Sequence, residues 1–293
     1  LSTARFGQEE DGTQFMLNSS YDFGDVLTYI TIAEGYRIGG INRSFPIRDG
    51  SFPVPQSFNS DSLISTEIGI KAQLNDRKLM IDASVYDIDW EDIQFALTDP
   101  VTSFAFNTNA GEAEVTGLEG SVHYRFTEDL EMNVNVTYLE HEVTALTADA
   151  SNRGINLGDP LLGVSDERYA IGIKYIYELQ AMEGFVRLDY NYTGKSLGRY
   201  SEDDFPQVDK DTAMIDGYGI TSVSAGVEGD NWQVNLYIRN LFDDDAIVSQ
   251  ERGRFSFNDF EGSAYLGVTD DPGRITTIRP RTMGMNFRYN FDF

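Results

Sequence analysis

The chain has 293 residues, 48 of them acidic against 22 basic, and a net charge of −26 at pH 7. That balance argues against a nucleic-acid partner, because a phosphate backbone needs a basic face. The absence of cysteine removes disulfide scaffolds and thiol-bound metals from consideration. No run of about 18 apolar residues is present to form a membrane-spanning helix, which leaves a barrel open, since barrels hide their signal in alternation. The acidity reads as the solubility of exposed loops. The chain opens on Leu1 without a methionine or a signal peptide, and reads as processed, truncated or partial.

In chain order, Gln8 to Gly12 has nothing to bury, and a first strand is predicted from about Thr13 to Phe23. Phe23-Gly24-Asp25 is a tight turn. The next strand runs from about Val26 to Ile38, followed by a Pro-, Ser- and Gly-rich segment to about Ser60. Ile64, Thr66, Ile68, Ile70, Ala72 and Leu74 then alternate with Ser65, Glu67, Gly69, Lys71 and Gln73. Asn75-Asp76-Arg77 turns the chain into a strand from Leu79 to about Phe95. A connection through Asp99-Pro100 leads to Leu118–Phe126, Thr127-Glu128-Asp129 turns, and Leu130 to Tyr138 alternates again. A long loop covers about Thr144 to Asp166. Strands follow at about Glu167–Tyr177, Gly184–Thr193, Thr221–Val227 and Trp232–Arg239, with long loops at about Gly194–Asp216 and Asn240–Arg274.

The last eleven residues carry the clearest pattern. Met283, Met285, Phe287, Tyr289, Phe291 and Phe293 share one face, while Gly284, Asn286, Arg288, Asn290 and Asp292 share the other. Chain ends usually fray in polar sequence. A lipid-facing strand has reason to alternate to its end, with apolar residues outward, polar residues inward and aromatics at the water boundary. About eleven strands result, longer than the usual globular strand of about five or six residues and long enough to cross a bilayer at a tilt. Short turns alternate with long loops, as in a bacterial outer-membrane barrel with turns in the periplasm and loops outside. The expected fold is all-β: a transmembrane antiparallel up-and-down β-barrel.

Three stretches resemble the carboxy-terminal half of the barrel of a TonB-dependent outer-membrane receptor. The first is Tyr29 through Ala33-Glu34-Gly35-Tyr36-Arg37-Ile38-Gly39-Gly40-Ile41-Asn42. The second is Glu67-Ile68-Gly69-Ile70-Lys71 with Ala83-Ser84-Val85-Tyr86-Asp87-Ile88-Asp89-Trp90-Glu91-Asp92-Ile93-Gln94. The third is Asn240-Leu241-Phe242-Asp243, followed by one long loop and an aromatic terminus. Their order and spacing agree with the family across nearly the whole chain. The resemblance implies a barrel of about 22 strands with an amino-terminal plug. Residues 1–293 are then a partial barrel domain, the second half of the wall, with the plug, the other strands and the TonB-contacting peptide outside this sequence. An open half-barrel leaves two unpaired edges in a low-dielectric medium, so the missing half must exist.

The resemblance further implies energy-coupled uptake of a scarce nutrient: a ferric siderophore, cobalamin or a saccharide. The expected location is the bacterial outer membrane. The expected partners are outer-membrane lipid, the plug and remaining strands, the TonB complex through the absent amino-terminal region, and a small nutrient ligand. No cofactor and no covalent chemistry are expected. Candidate ligand contacts at the outer rim and loops are Tyr36, Arg37, Asn42, Arg43, Arg48, Arg252, Arg254 and Arg274, where arginine would meet an anionic ligand through charge-assisted hydrogen bonds. The competing reading gives Tyr36 to the aromatic girdle, lets the glycines flare the strand into a loop, and pairs the arginines locally with acids such as Asp49. Glu202-Asp203-Asp204 and Asp243-Asp244-Asp245 lack the spacing of an EF-hand, and read as solvated loop acids rather than calcium ligands. His123 and His141, the only histidines, make a poor metal site without a supporting cluster.

Two other classes compete. A barrel enzyme of lipase or protease type needs a nucleophile and base near the rim, and the chain has no Gly-x-Ser-x-Gly element or His-Glu-x-x-His pair. A soluble β-sandwich such as a carbohydrate-binding module would pack its apolar faces together and need no detergent. Phe293 resembles the terminal aromatic by which outer-membrane barrels are recognised for assembly, or else it completes the girdle. If it is an assembly signal, deleting Phe293 lowers the surface yield of the intact receptor severalfold in a cell-surface labelling assay; an unchanged yield would count against the signal.

Overall fold

A computed structural model describes residues 12–43, 54–98, 105–147, 150, 155–180, 182–198, 214–251 and 274–291. In chain order the strands are β1 (Met16–Asp22), β2 (Val26–Arg37), β3 (Gly40–Ile41), β4 (Ser57–Phe58), β5 (Asp61–Leu74), β6 (Leu79–Glu91), β7 (Gln94–Thr98), β8 (Ala105–Asn109), β9 (Gly111–Arg125) and β10 (Leu130–Leu146). They continue with β11 (Glu167–Leu179), β12 (Met182–Thr193), β13 (Ser196–Leu197), β14 (Met214–Ile215), β15 (Tyr218–Glu228), β16 (Trp232–Arg239), β17 (Ile247–Glu251), β18 (Arg274–Thr277) and β19 (Thr282–Tyr289). Eleven of them form one sheet in the order β1-β2-β5-β6-β9-β10-β11-β12-β15-β16-β19, each antiparallel to its neighbours. The eight short strands make four hairpins: β3–β4, β7–β8, β13–β14 and β17–β18. The sheet does not close on itself; β1 and β19 are its edges.

The eleven expected strands are these eleven. Their outer ends differ. β9 begins at Gly111 rather than near Leu118, and β10 runs to Leu146, past the alternation that ends at Tyr138 and into the loop expected from about Thr144. The reason is visible in the burial. Beyond Tyr138 the outward residues are exposed acids while His141 and Val143 are buried inward, so the hydrophobic alternation that marks the lower strand inverts. Hairpins β3–β4 and β13–β14 lie inside segments expected as long loops, β17–β18 begins inside one, and β7–β8 occupies the end of the strand expected to reach Phe95 and the connection through Asp99-Pro100.

Register sorts the side chains into two faces. Directly opposed residues share a face, and one rung of the outward face runs Ile30–Ile68–Val85–Leu118–Tyr138. All five are exposed, Ile68 by 54% and Val85 by 51%. An exposed apolar sheet face of this extent marks contact with something other than water, and lipid is what it fits. The inward rung one residue away reads Tyr29–Gly69–Ser84–Glu119–Thr137–Arg168–Thr193. Lys71 and Asp82 face each other across β5 and β6 with Nζ and Oδ2 2.5 Å apart. The charges seen in mid-strand in the sequence therefore line the inner face, where they are solvated or paired.

The inner face is braced by tyrosines laid over glycines. Tyr29 lies across Gly69 and Tyr86 across Gly117, each directly opposed in register. A Cβ at either glycine would collide with the ring. Glycine is needed there for close approach, and the aromatic ring covers the backbone that the missing side chain exposes. The Tyr29 hydroxyl reaches on to donate to Glu67 Oε1 at 2.5 Å.

This contact yields a graded expectation. Gly69→Ala and Gly117→Ala should each destabilise the barrel by about 1–3 kcal/mol through overpacking. Gly35→Ala, whose Cβ would meet only the Leu63 side chain at an ordinary 3.5 Å, should stay within about 0.5 kcal/mol of the parent. Guanidinium unfolding of the intact receptor in detergent micelles measures all three, and equal midpoints would remove the glycine–tyrosine brace as a source of stability.

Candidate functional site: the outer rim

The long connections share one end of the sheet, and there the strands rise past the apolar band into a rim. Three knots of hydrogen bonds shape it.

The first knot centres on Asp61, whose side chain is 1% exposed at the start of β5. Register places it opposite Arg37, the last residue of β2. Its carboxylate accepts from the Arg37 guanidinium in a two-pronged ion pair, from the Arg37 amide at 3.1 Å, from Trp90 Nε1 at 3.2 Å and from the Gln94 amide at 3.3 Å. The Arg37 guanidinium also lies over the Trp90 ring at 4.9 Å. Burial alone would raise the Asp61 carboxyl; the Arg37 guanidinium and the Gln94 and Arg37 amides outweigh it and hold the group below its ordinary value of 3.8. Asp61 lies well above the apolar band.

The second knot is a run of amides. Gln94 Nε2 donates to the carbonyls of Ile38 at 3.0 Å and Asn59 at 2.9 Å. Asn109 Nδ2 donates to Asp92 O at 2.7 Å and to Asn59 O at 3.1 Å, while its Oδ1 accepts from the Asn59 amide. Asn42 Nδ2 donates to Pro55 O at 2.9 Å and Asn107 O at 2.7 Å, and its Oδ1 accepts from the Asn107 amide. These side chains tie hairpin β3–β4 to hairpin β7–β8. Each satisfies backbone groups that no strand neighbour reaches.

The third knot is the Asn240-Leu241-Phe242-Asp243 turn. Asn240 is 3% exposed and left-handed, with φ 52°. Its Nδ2 donates to Asp244 O and Arg279 O, and its Oδ1 accepts from the Asp244 amide. Asp243 Oδ1 accepts from the Arg281 amide at 2.7 Å. The turn thus pins the exit of β16 to the entry of β19.

The expected site residues are placed as follows. Tyr36 is exposed on the outward face near the top of β2. Arg37 and Asn42 belong to the first and second knots, and Arg37, still 51% exposed, pairs with Asp61. Arg43 is exposed at the end of a described segment. Arg274 opens β18, where its backbone pairs with Glu251. Arg48, Arg252, Arg254 and Phe293 lie outside the described residues, as do Asp49 and Glu202-Asp203-Asp204. His123 and His141 sit on adjacent strands but at opposite ends, and among the described residues no group of three or more His, Cys, Asp or Glu side chains could hold a metal ion. Asp61, Asn59, Asn107 and Asn109 carry the rim and were not singled out in the sequence. For Asp61 the alternation of β5 gives the inward face, but its place opposite Arg37 follows only from the register of β5 on β2.

Residues 2–241 match the family described as TonB dependent receptor-like, beta-barrel. Solved structures agree on the fold. The ferric yersiniabactin uptake receptor FyuA from Yersinia pestis matches with a TM-score of 0.70 at 18% identity, over 94% of this chain and 37% of that one. The ferric-catecholate import receptor Fiu from Escherichia coli K12 matches with a TM-score of 0.67 at 17% identity, over 95% and 35%. The ferric preacinetobactin receptor BauA from Acinetobacter baumannii matches with a TM-score of 0.66 at 16% identity, over 95% and 36%. The chain therefore belongs to the TonB-dependent receptor β-barrel family, a family of bacterial outer-membrane receptors and not of enzymes. It spans about 37% of the length of the first of these relatives.

Asp61 supplies a test of the rim. Its folded-state value is lowered, so its contribution is complete above pH 3.8 and is lost as the pH falls through the lowered value. At neutral pH, Asp61→Asn should raise hydrogen exchange at the Arg37 and Gln94 amides at least about tenfold, because the carboxylate's charge is lost and one of its two acceptor oxygens becomes a donor. Arg37→Ala, which strands a buried carboxylate, should cost about 3–5 kcal/mol. Unchanged exchange in Asp61→Asn would assign the rim's order to the amide knot instead.

Proposed function

We propose that this chain is wall and outer rim of an energy-coupled uptake receptor, and that its nutrient is a ferric siderophore. The observation that carries the reading is the sheet itself: eleven antiparallel strands with an apolar outward face and a charged inward face, superposing along nearly their whole length on receptors named for ferric chelates. Further strands pair with β1 and β19 to close the barrel, because an unpaired strand edge is untenable in hydrocarbon. A plug fills the enclosed lumen and meets the polar inner face. The TonB complex reaches the receptor through that plug, outer-membrane lipid covers the apolar band, and the chelate is met by the rim.

The rim supports an anionic chelate through its arginines. Arg43 is exposed, Arg48 follows it in the sequence between β3 and β4, and Arg252, Arg254 and Arg274 fall in the sequence between β16 and β19. Arginine gives planar, two-pronged recognition of carboxylate or catecholate oxygens. Arg37 contributes through position, since its guanidinium is committed to Asp61 and stacked on Trp90.

The test is growth of a strain lacking this receptor under iron limitation, fed a panel of ferric siderophores, ferric-free siderophores, cobalamin and oligosaccharides. Restored expression should restore growth on one class of ferric siderophore, and only in cells with a working TonB system. Purified intact receptor should bind that chelate and not its iron-free form with comparable strength. Binding of cobalamin or a saccharide in place of every iron chelate would overturn the siderophore and leave the receptor. Uptake independent of TonB would overturn the energy coupling.

A further inference from the structure

We propose that His141 is an acid-released latch that holds the segment 160–166 down on the inner face of the rim. The connection between β10 and β11 does not stand away from the wall. It runs along the edge of β10 beyond the end of β11 and turns Ile155 and Leu161 inward, where they bury in one cluster with Ala113 and Val143. Its first part is held by the backbone: the Gly158 amide donates to Val143 O and the Val143 amide to Asp159 O, both at 2.9 Å. Between Pro160 and Asp166, whose carbonyl accepts from the Leu139 amide of β10 at 2.7 Å, the tie to the wall is a side chain. The Leu161 amide donates to His141 Nδ1 at 2.9 Å, and the imidazole is 0% exposed.

That bond fixes the protonation state. An Nδ1 that accepts carries no proton, so the ring is neutral with its hydrogen on Nε2. Nε2 is buried and has no hydrogen bond, although Asp166 Oδ1 stands 3.2 Å away, out of line. Taking up a proton turns Nδ1 into a donor that faces the Leu161 donor. The new imidazolium can turn Nε2–H toward Asp166, whose carboxylate is 63% exposed, but nothing replaces the acceptor that Leu161 loses.

The surrounding charges leave the ring to this one partner. Val115 faces it from β9, and by alternation Glu114 on β9 and Glu140 and Glu142 on β10 point outward. On β11, Glu167 faces outward and Arg168 stands inward opposite Thr137, lower on the wall. Asp159 accepts from the Asn156 amide at 2.7 Å. Burial lowers the His141 pKa below its ordinary 6.5, and the Asp166 carboxylate partly offsets this. The sign follows: the docked segment is fully stabilised above pH 6.5 and loses that stability as the pH falls through the lowered value.

Release would not stay local. The Gly163 amide donates to Leu197 O at 2.8 Å, and Leu162 and Ser165 bridge to Leu197 and Ser196 in the next connection. The latch therefore governs two neighbouring outer connections, with its pivot at Asp159-Pro160. It goes beyond the nutrient proposal and holds whichever ligand the receptor carries.

Hydrogen exchange of the intact receptor in detergent, corrected for the intrinsic pH dependence of exchange, tests it. Peptides spanning 160–166 should be protected at about pH 7.5 and exchange about tenfold faster at about pH 5, while the hairpin at 127–130 stays unchanged. His141→Asn places Oδ1 where Nδ1 stood, and should keep 160–166 protected at both values. Should that variant not assemble, Asp166→Asn removes the offsetting carboxylate and should move the midpoint of loosening to lower pH. Protection that persists at pH 5 in the parent, an equal loss in His141→Asn, or an unmoved midpoint in Asp166→Asn would each overturn the latch.

Discussion

In hydrocarbon there is no water to bond a backbone amide, so every strand crossing the membrane needs a strand on each side. The rest of the structure depends on this constraint. It forces neighbours in sequence to be neighbours in space, gives one continuous antiparallel order from β1 to β19, and fixes register over a dozen or more residues where β5 meets β6. A one-residue slip would exchange the faces and put Lys71 and Glu67 where Ile70 and Ile68 now stand. The tyrosine–glycine braces at Gly69 and Gly117 add a steric lock to the same register, since a slip would oppose a ring with a side chain.

The depth of the sheet is set by a second opposition, between apolar residues and carboxylates on one face. On β6 the outward residues run Ile81, Ala83, Val85, then Asp87, Asp89 and Glu91. On β10 they run Val134, Val136, Tyr138, then Glu140 and Glu142. Asp89, Glu114 and Glu142 stand on one rung across three strands. Like charges directly opposed are unfavourable within a sheet, and a carboxylate in hydrocarbon costs far more. Such a rung is tolerable only in water. The change from apolar to acidic therefore marks where the wall leaves the bilayer, with Tyr138, Tyr169 and the stacked Tyr192 at the boundary.

How much of this was legible follows from the same division. Inside the bilayer each strand answers to one rule, so the alternation of Met283 to Tyr289 or Leu130 to Tyr138 could be read directly. Above it the rule changes. The outward face turns acidic and the inward face packs against returning connections, so β9 and β10 extend with no hydrophobic period to show it. The short hairpins were illegible because two-residue strands such as β3 and β4 carry no pattern. The motifs that carried the family resemblance prove to be braces. Gly-Tyr-Arg, Trp-Glu-Asp-Ile-Gln and Asn-Leu-Phe-Asp hold Arg37, Trp90, Gln94, Asn240 and Asp243: Arg37 and Trp90 meet on Asp61 and join the ends of β2, β5 and β6, and the other three tie connections at the rim. Asp61 escaped notice because a buried acid is identified by its partners, which lie 24 and more residues away.

The braces connect. Hairpin β3–β4 is tied to β7–β8 through Asn42 and Asn107. Ile93, which leads into β7, and Ala110, which follows β8, pack with Ile155 and Leu161 of the next connection. That connection bridges to Leu197 of β13, and β14 lies against β17. The described parts of the rim thus form an unbroken series of contacts from β2 to β19, each made between neighbouring connections. Backbone pairing holds the wall rigid below. The rim above is held by side-chain bonds, isolated backbone bonds and small apolar contacts at each junction, and local opening is confined to such weakly tied segments while the strands beneath keep their register. Closure of the wall and order of the rim therefore rest largely on different bonds, so the rim can open without unpairing the strands.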